Sequence, residues 1–163
     1  APQELALVPP GSDELQRRIT SDIGAVLAEL YERAFVPQAA GASPDPTTEA
    51  TPASRIRSFF TKKAAAALQK DPDVFERARD LTIARGRVTF GGLATLEGSK
   101  PVQALLEVVF DATATPEQRV SPLVRVRQRG TILLVYRSNR WFVDGFDLRF
   151  SSAPVTPSPT ADQ

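Results

Sequence analysis

The stretch Gly130–Phe150, GTILLVYRSNRWFVDGFDLRF, decides how the rest of the chain is read. Ile132, Leu134 and Tyr136 alternate with Thr131, Leu133 and Val135 up to a turn at Ser138-Asn139. Beyond the turn, Trp141 and Val143 alternate with Phe142 and Asp144. A two-residue loop sets Tyr136 opposite Trp141 and Leu134 opposite Val143 on one apolar face. At Asp144-Gly145 the alternation slips by one residue and resumes as Phe146, Leu148, Phe150. A one-residue slip at a glycine marks a β-bulge, which returns these side chains to the same face. The hairpin therefore predicts a strongly bent, half-buried antiparallel sheet.

Working backwards, Val124 and Val126 carry the apolar face on, opposite Arg125, Arg127 and Arg129. Val102, Ala104, Leu106, Val108, Phe110 and Ala112 alternate over another strand, with Glu107 and Asp111 on its other side. Between them, residues 113–120 read as a loop. Val88 and Phe90 belong to a first strand, with a bend or bulge expected at Gly91-Gly92. Before Leu81 the period is helical. Leu15, Ile19, Ile23, Val26, Leu27, Leu30, Tyr31 and Ala34 form one stripe of a long helix, with Ser12 at its N-cap and Pro37 beyond its end. Thr51-Pro52 caps a second helix, whose buried stripe is Ile56, Phe59, Phe60, Ala64, Ala67 and Leu68. Asp71-Pro72 opens a short third helix with Val74, Phe75 and Ala78 inward. Residues 1–11 read as an extended leader or tether and 12–150 as a single α+β domain. Residues 151–163 read as a disordered Pro/Ser/Thr-rich tail, and Gln38–Thr51 as a mobile loop. The expected core includes Leu27, Phe59, Phe110, Leu134, Trp141 and Phe146.

Composition narrows the chemistry. The chain has neither histidine nor cysteine, which removes the commonest general base, thiolate chemistry and the usual zinc ligands. A net charge of +1 gives no footprint for nucleic acid. No apolar run approaches the roughly 20 residues that span a bilayer. The chain starts at Ala1 and has no methionine, so it is expected to be processed or trimmed: a signal peptide cleaved, a membrane anchor cut away, or an initiator methionine removed, with an extracytoplasmic origin the favoured reading. The lysines fall on helix surfaces or in a turn, and the acids in first turns, loops or on the arginine-bearing face. Tyr136 alone points towards the interior, so no enzyme, cofactor or metal site is expected. Arg125, Arg127 and Arg129 form a row that suits an oxyanion or partner contact. Ion pairing across the strands is the competing use, with Glu107 expected opposite Arg125 or Arg127.

The order of three helices and then four strands predicts an α+β fold, N-terminal helices packed on a strongly bent four-stranded antiparallel sheet. The helix Leu15–Ala34, the segment RIRSFF at Arg55–Phe60 leading into Ala64–Leu68, and NRWFVDG at Asn139–Gly145 resemble the nuclear transport factor 2-like, or cystatin-like, superfamily. That resemblance implies a sheet wrapped around the first helix as a cone. Within the superfamily the chain is similar to extracytoplasmic accessory domains of the mammalian-cell-entry-associated kind and to inner-membrane components of type IV secretion systems. It implies a non-catalytic interaction or scaffold domain of a membrane-associated transport or secretion assembly. Such a domain would sit in the cell envelope, tethered or exported through a segment missing from this chain. Its partners would be proteins, with self-association into a homo-oligomer open as a further mode. The alternative is a binder of lipid or of a small apolar ligand, or behind that an enzyme, using the inside of the cone, lined by Tyr136, Trp141, Phe110 and Phe146.

Overall fold

A computed structural model describes residues 3–7, 14–35, 56–76, 81–98, 100–116 and 123–155. Five strands form one open antiparallel sheet: β1 (Gln3–Ala6), β2 (Leu81–Glu97), β3 (Lys100–Pro116), β4 (Val124–Arg137) and β5 (Arg140–Pro154). Their order in space is their order in the chain. Among the described residues the helices are α1 (Glu14–Phe35), a 3₁₀ turn at Arg57–Phe59, α2 (Lys62–Lys70) and α3 (Asp73–Glu76).

The β4–β5 hairpin follows its sequence pattern. Ser138 and Asn139 hold positive φ, as a two-residue turn matched to the sheet twist requires. Tyr136 faces Trp141 and Leu134 faces Val143. The register slips at Asp144, so that Leu133 meets Gly145 and Ile132 meets Phe146. This bulge keeps Trp141, Val143 and Leu148 in the core, while Phe146 is only half-buried. Of the expected core, Leu27, Phe59, Phe110, Leu134 and Trp141 are buried. In α1 the side chains of Ile19, Ile23, Leu27, Leu30, Tyr31, Ala34 and Phe35 are buried, at the three- and four-residue spacing of one helix face.

Several expectations are corrected. The sheet has five strands, not four, because Gln3–Ala6 pairs with Leu93–Leu96 on the free edge of β2. Leu5 and Leu7 alternate there, Leu7 is fully buried, and its N–H donates to the Gly92 carbonyl at 2.8 Å. The prolines on either side mask this short strand in sequence. The helix expected through Ile56–Leu68 is broken at Phe60-Thr61. Phe60 is extended and bridges Val143 in parallel, the Thr61 N–H donates to the Val143 carbonyl at 2.8 Å, and Thr61 caps α2. The extended step at Phe60 leaves both Phe59 and Phe60 buried. Ala67 is exposed rather than buried. β2 runs straight through Gly91-Gly92, and its irregularities fall at Ile83/Gly86 and Thr95/Leu96. Gly92 serves close approach instead, since a Cβ there would lie 2.0 Å from the Leu105 oxygen. β3 continues to Pro116 and β5 to Pro154, beyond the limits expected for a loop and a tail. The Ser12 and Thr51 caps, the 38–51 loop and Ala78 lie outside the described residues.

Candidate functional site

Between α1 and the sheet lies a run of aromatic rings. Tyr31 stacks on Phe110 with centroids 4.8 Å apart, and Phe35 lies 5.1 Å from Phe110. Phe75 contacts both Tyr31 and Phe35, and Phe60 meets Phe75 and Phe146 edge-on. Tyr136 and Trp141 form a separate pair, 5.1 Å apart, near the β4–β5 turn. The four residues suggested as a ligand lining are thus divided among three ring contacts: Phe110 under α1, Phe146 beside Phe60, and Tyr136 with Trp141.

Two polar side chains in this interior attract notice because sequence reasoning did not single them out. The Tyr31 hydroxyl is buried without a hydrogen-bond partner among the described residues, and burial alone pushes its phenol far above the usual range. Gln128 is fully buried on the apolar face of β4, opposite Phe110 and Phe150. Its Nε2 donates to the Val74 carbonyl, tying α3 to the sheet, while its Oε1 has no partner. Parity alone locates Gln128, since it alternates with Arg127 and Arg129. Tyr31 reads in sequence as one more stripe residue.

Asp144 is not aimed at the interior. It accepts a hydrogen bond from the Thr61 hydroxyl at 2.8 Å and lies 3.7 Å from the Lys63 ammonium. The Thr61 oxygen in turn accepts from the Ala64 N–H, so the bulge holds the start of α2.

On the opposite face of the sheet, the register arranges side chains in rows across the strands. Arg87, Asp111, Arg127 and Ser151 form one row, and Thr89, Val109, Arg129 and Arg149 the next. Then come Gly91, Glu107, Thr131 and Asp147, followed by Leu93, Leu105, Leu133 and Gly145. Glu107 therefore faces Thr131, not Arg125 or Arg127. The β3–β4 hairpin closes further along the chain than expected, because β3 runs on to Pro116. Asp111 takes the arginines instead, accepting from Arg127 Nε at 2.9 Å and lying 3.5 Å from Arg125. Arg129 is left opposite Arg149, and neither forms an ion pair with a described residue. A groove of about 440 Å³ runs here, between Arg129, Arg149, Glu107 and Asp147. Leu93 and Leu105 face each other across β2 and β3 and are 46% and 55% exposed.

The Arg127 hydrogen bond, with the charges of Arg127 and Arg125, holds the Asp111 carboxyl below its ordinary value. A depressed folded-state value stabilises the fold above the unfolded carboxylate range and is lost as pH falls below about 4. Asp111→Asn should therefore lower the denaturation midpoint slightly at pH 7. Its deficit relative to the parent should shrink as the pH of a urea titration is brought down towards 3. A deficit that stays constant across that window would assign the loss to something other than this charge pair.

Among the described residues no group of three or more acids is placed to hold a metal ion, and no helix is long and apolar enough to cross a membrane. No protein-family model matches the chain, and it matches no curated protein and no solved structure.

Proposed function

We propose that this chain is a non-catalytic interaction domain of a membrane-associated transport or secretion assembly in the cell envelope, and that it takes a protein partner on the outer face of its sheet. The observation that carries this reading is the exposed leucine row, Leu93 and Leu105 beside half-buried Leu133, on a face that no described element covers. Adjoining apolar side chains on an open sheet face, edged by charged rows, are what a protein interface displays. The superfamily resemblance supplies the class of assembly and the envelope location. It also supplies the picture of a cone around α1, which in this reading is filled by its own aromatic rings.

The test is affinity capture from the native membrane fraction with the parent chain and with the Leu93→Asp/Leu105→Asp variant. Both sites are exposed, so the variant should keep its stability to within about 1 kcal/mol. It should lose the partner that the parent retains. Equal recovery by both would move the interface off this face.

A second reading is favoured by the interior polar atoms. An unpartnered Tyr31 hydroxyl and Gln128 Oε1 are groups that a bound lipid or small apolar molecule with one polar end could satisfy. Native mass spectrometry of freshly purified protein decides it: a stoichiometric adduct supports an interior ligand, and the bare mass removes that reading.

A further inference from the structure

The β5 edge is only partly used. Phe60 bridges Val143, and the Thr61 N–H donates to the Val143 carbonyl, so that carbonyl points away from β4. Residues of an antiparallel strand alternate between facing the partner and facing outward. The bulge sets Phe146 opposite Ile132, two residues before Leu134 on β4, and so Phe146, Leu148 and Phe150 inherit the outward orientation of Val143. β5 is the last strand of the sheet, and among the described residues no further strand pairs with it beyond this bridge. The main-chain N–H and C=O groups of Phe146, Leu148 and Phe150 are thus a template that no described strand fills.

That template lies on a groove. Asp71, Asp73, Val74, Leu148, Arg149 and Phe150 line a space of about 350 Å³ between the α2–α3 corner and β5. Val74 and Leu148 are buried and Phe150 half-buried, giving the groove an apolar floor. Asp71 and Asp73 on its helical wall are exposed and form no ion pair with a described residue. Arg149 belongs to the outer face of β5, one position out of step with Leu148 and Phe150.

We propose that this edge binds an extended peptide segment of a partner protein by strand addition. Apolar side chains of the segment would lie over Val74, Leu148 and Phe150, and a lysine or arginine would sit against Asp71 and Asp73. The main-chain bonds supply affinity and the alternate side chains supply selectivity, as in other strand-addition complexes. The acids on the wall select a basic segment over an acidic one. This surface is separate from the leucine row, so the proposal stands or falls independently of the outer-face interface.

The probe is a short fluorescent peptide alternating valine with lysine, titrated by anisotropy into the whole chain and followed by amide exchange. Binding should protect the Phe146, Leu148 and Phe150 amides. The same peptide N-methylated at alternate residues should lose at least about tenfold in affinity, since it lacks the main-chain donors. Asp71→Asn/Asp73→Asn should weaken binding several-fold and steepen no salt dependence, and Leu93→Asp/Leu105→Asp should leave it unchanged. Four results would overturn the proposal: no binding, equal binding of the N-methylated peptide, protection confined to other strands, or protection of the β5 amides that rises with protein concentration in the absence of peptide. The last of these would assign the edge to a second copy of this chain.

Discussion

Replacing Trp141 with alanine should lower the unfolding free energy by about 3–5 kcal/mol. The indole is buried, packs against Tyr136, and follows directly on the turn that sets the β4–β5 register. Truncation removes a large apolar area from water and leaves a hole that Tyr136, on the neighbouring strand, cannot close. Phe142 is the internal control. It is the next residue, equally aromatic, but lies half-buried on the outer face with the Arg140 guanidinium over its ring. Phe142→Ala should cost well under half as much. A urea titration that ranks the two variants the other way round would mean that the core lies on the wrong side of this hairpin.

Gly130→Ala should be comparably damaging for a different reason. Gly130 has φ 153°, a backbone region that side chains rarely adopt, and a Cβ there would fall 2.0 Å from the Asp147 oxygen. Strain of this kind costs about 1–3 kcal/mol and overpacking about 1–3 kcal/mol more. The strands β4 and β5 would have to part where Arg129, Gly130 and Thr131 face Arg149, Leu148 and Asp147. The loss should appear as a lower thermal midpoint together with faster exchange of the amides of Asp147 and Arg149, which face β4. An alanine variant of parent stability would show that the two strands do not approach so closely.

The parts of the fold that could be read from sequence are those where local chemistry and tertiary packing agree. The β4–β5 register follows from a two-residue turn, the slip at Asp144 from a glycine, and the α1 face from helical spacing. Extending that same register by parity places Arg149 opposite Arg129 and puts Gln128 among the apolar side chains. Elsewhere a contact distant in sequence decided the outcome. Gln3–Ala6 is a strand because β2 has a free edge to satisfy, which no local window reveals. Phe60-Thr61 leaves helical geometry because Val143 and Asp144 offer it a bridge and a cap partner. Glu107 misses the arginines because the length of a strand, not its composition, set the register of β3 on β4. Of the candidate site residues, Arg125 and Arg127 are engaged by Asp111, and Arg129 is not. The leucine row needed the sheet order, since Leu93, Leu105 and Leu133 come from three strands.

The central claim is that the outer face of the sheet carries the partner. A photoreactive residue placed at Leu105, with a second at exposed Gln69 on α2 as control, tests it in the native membrane fraction. Position 105 should yield one dominant cross-linked protein, absent when Leu93 is changed to aspartate and not captured from position 69. Cross-linking from position 69 alone, or the same products from both positions, would contradict it.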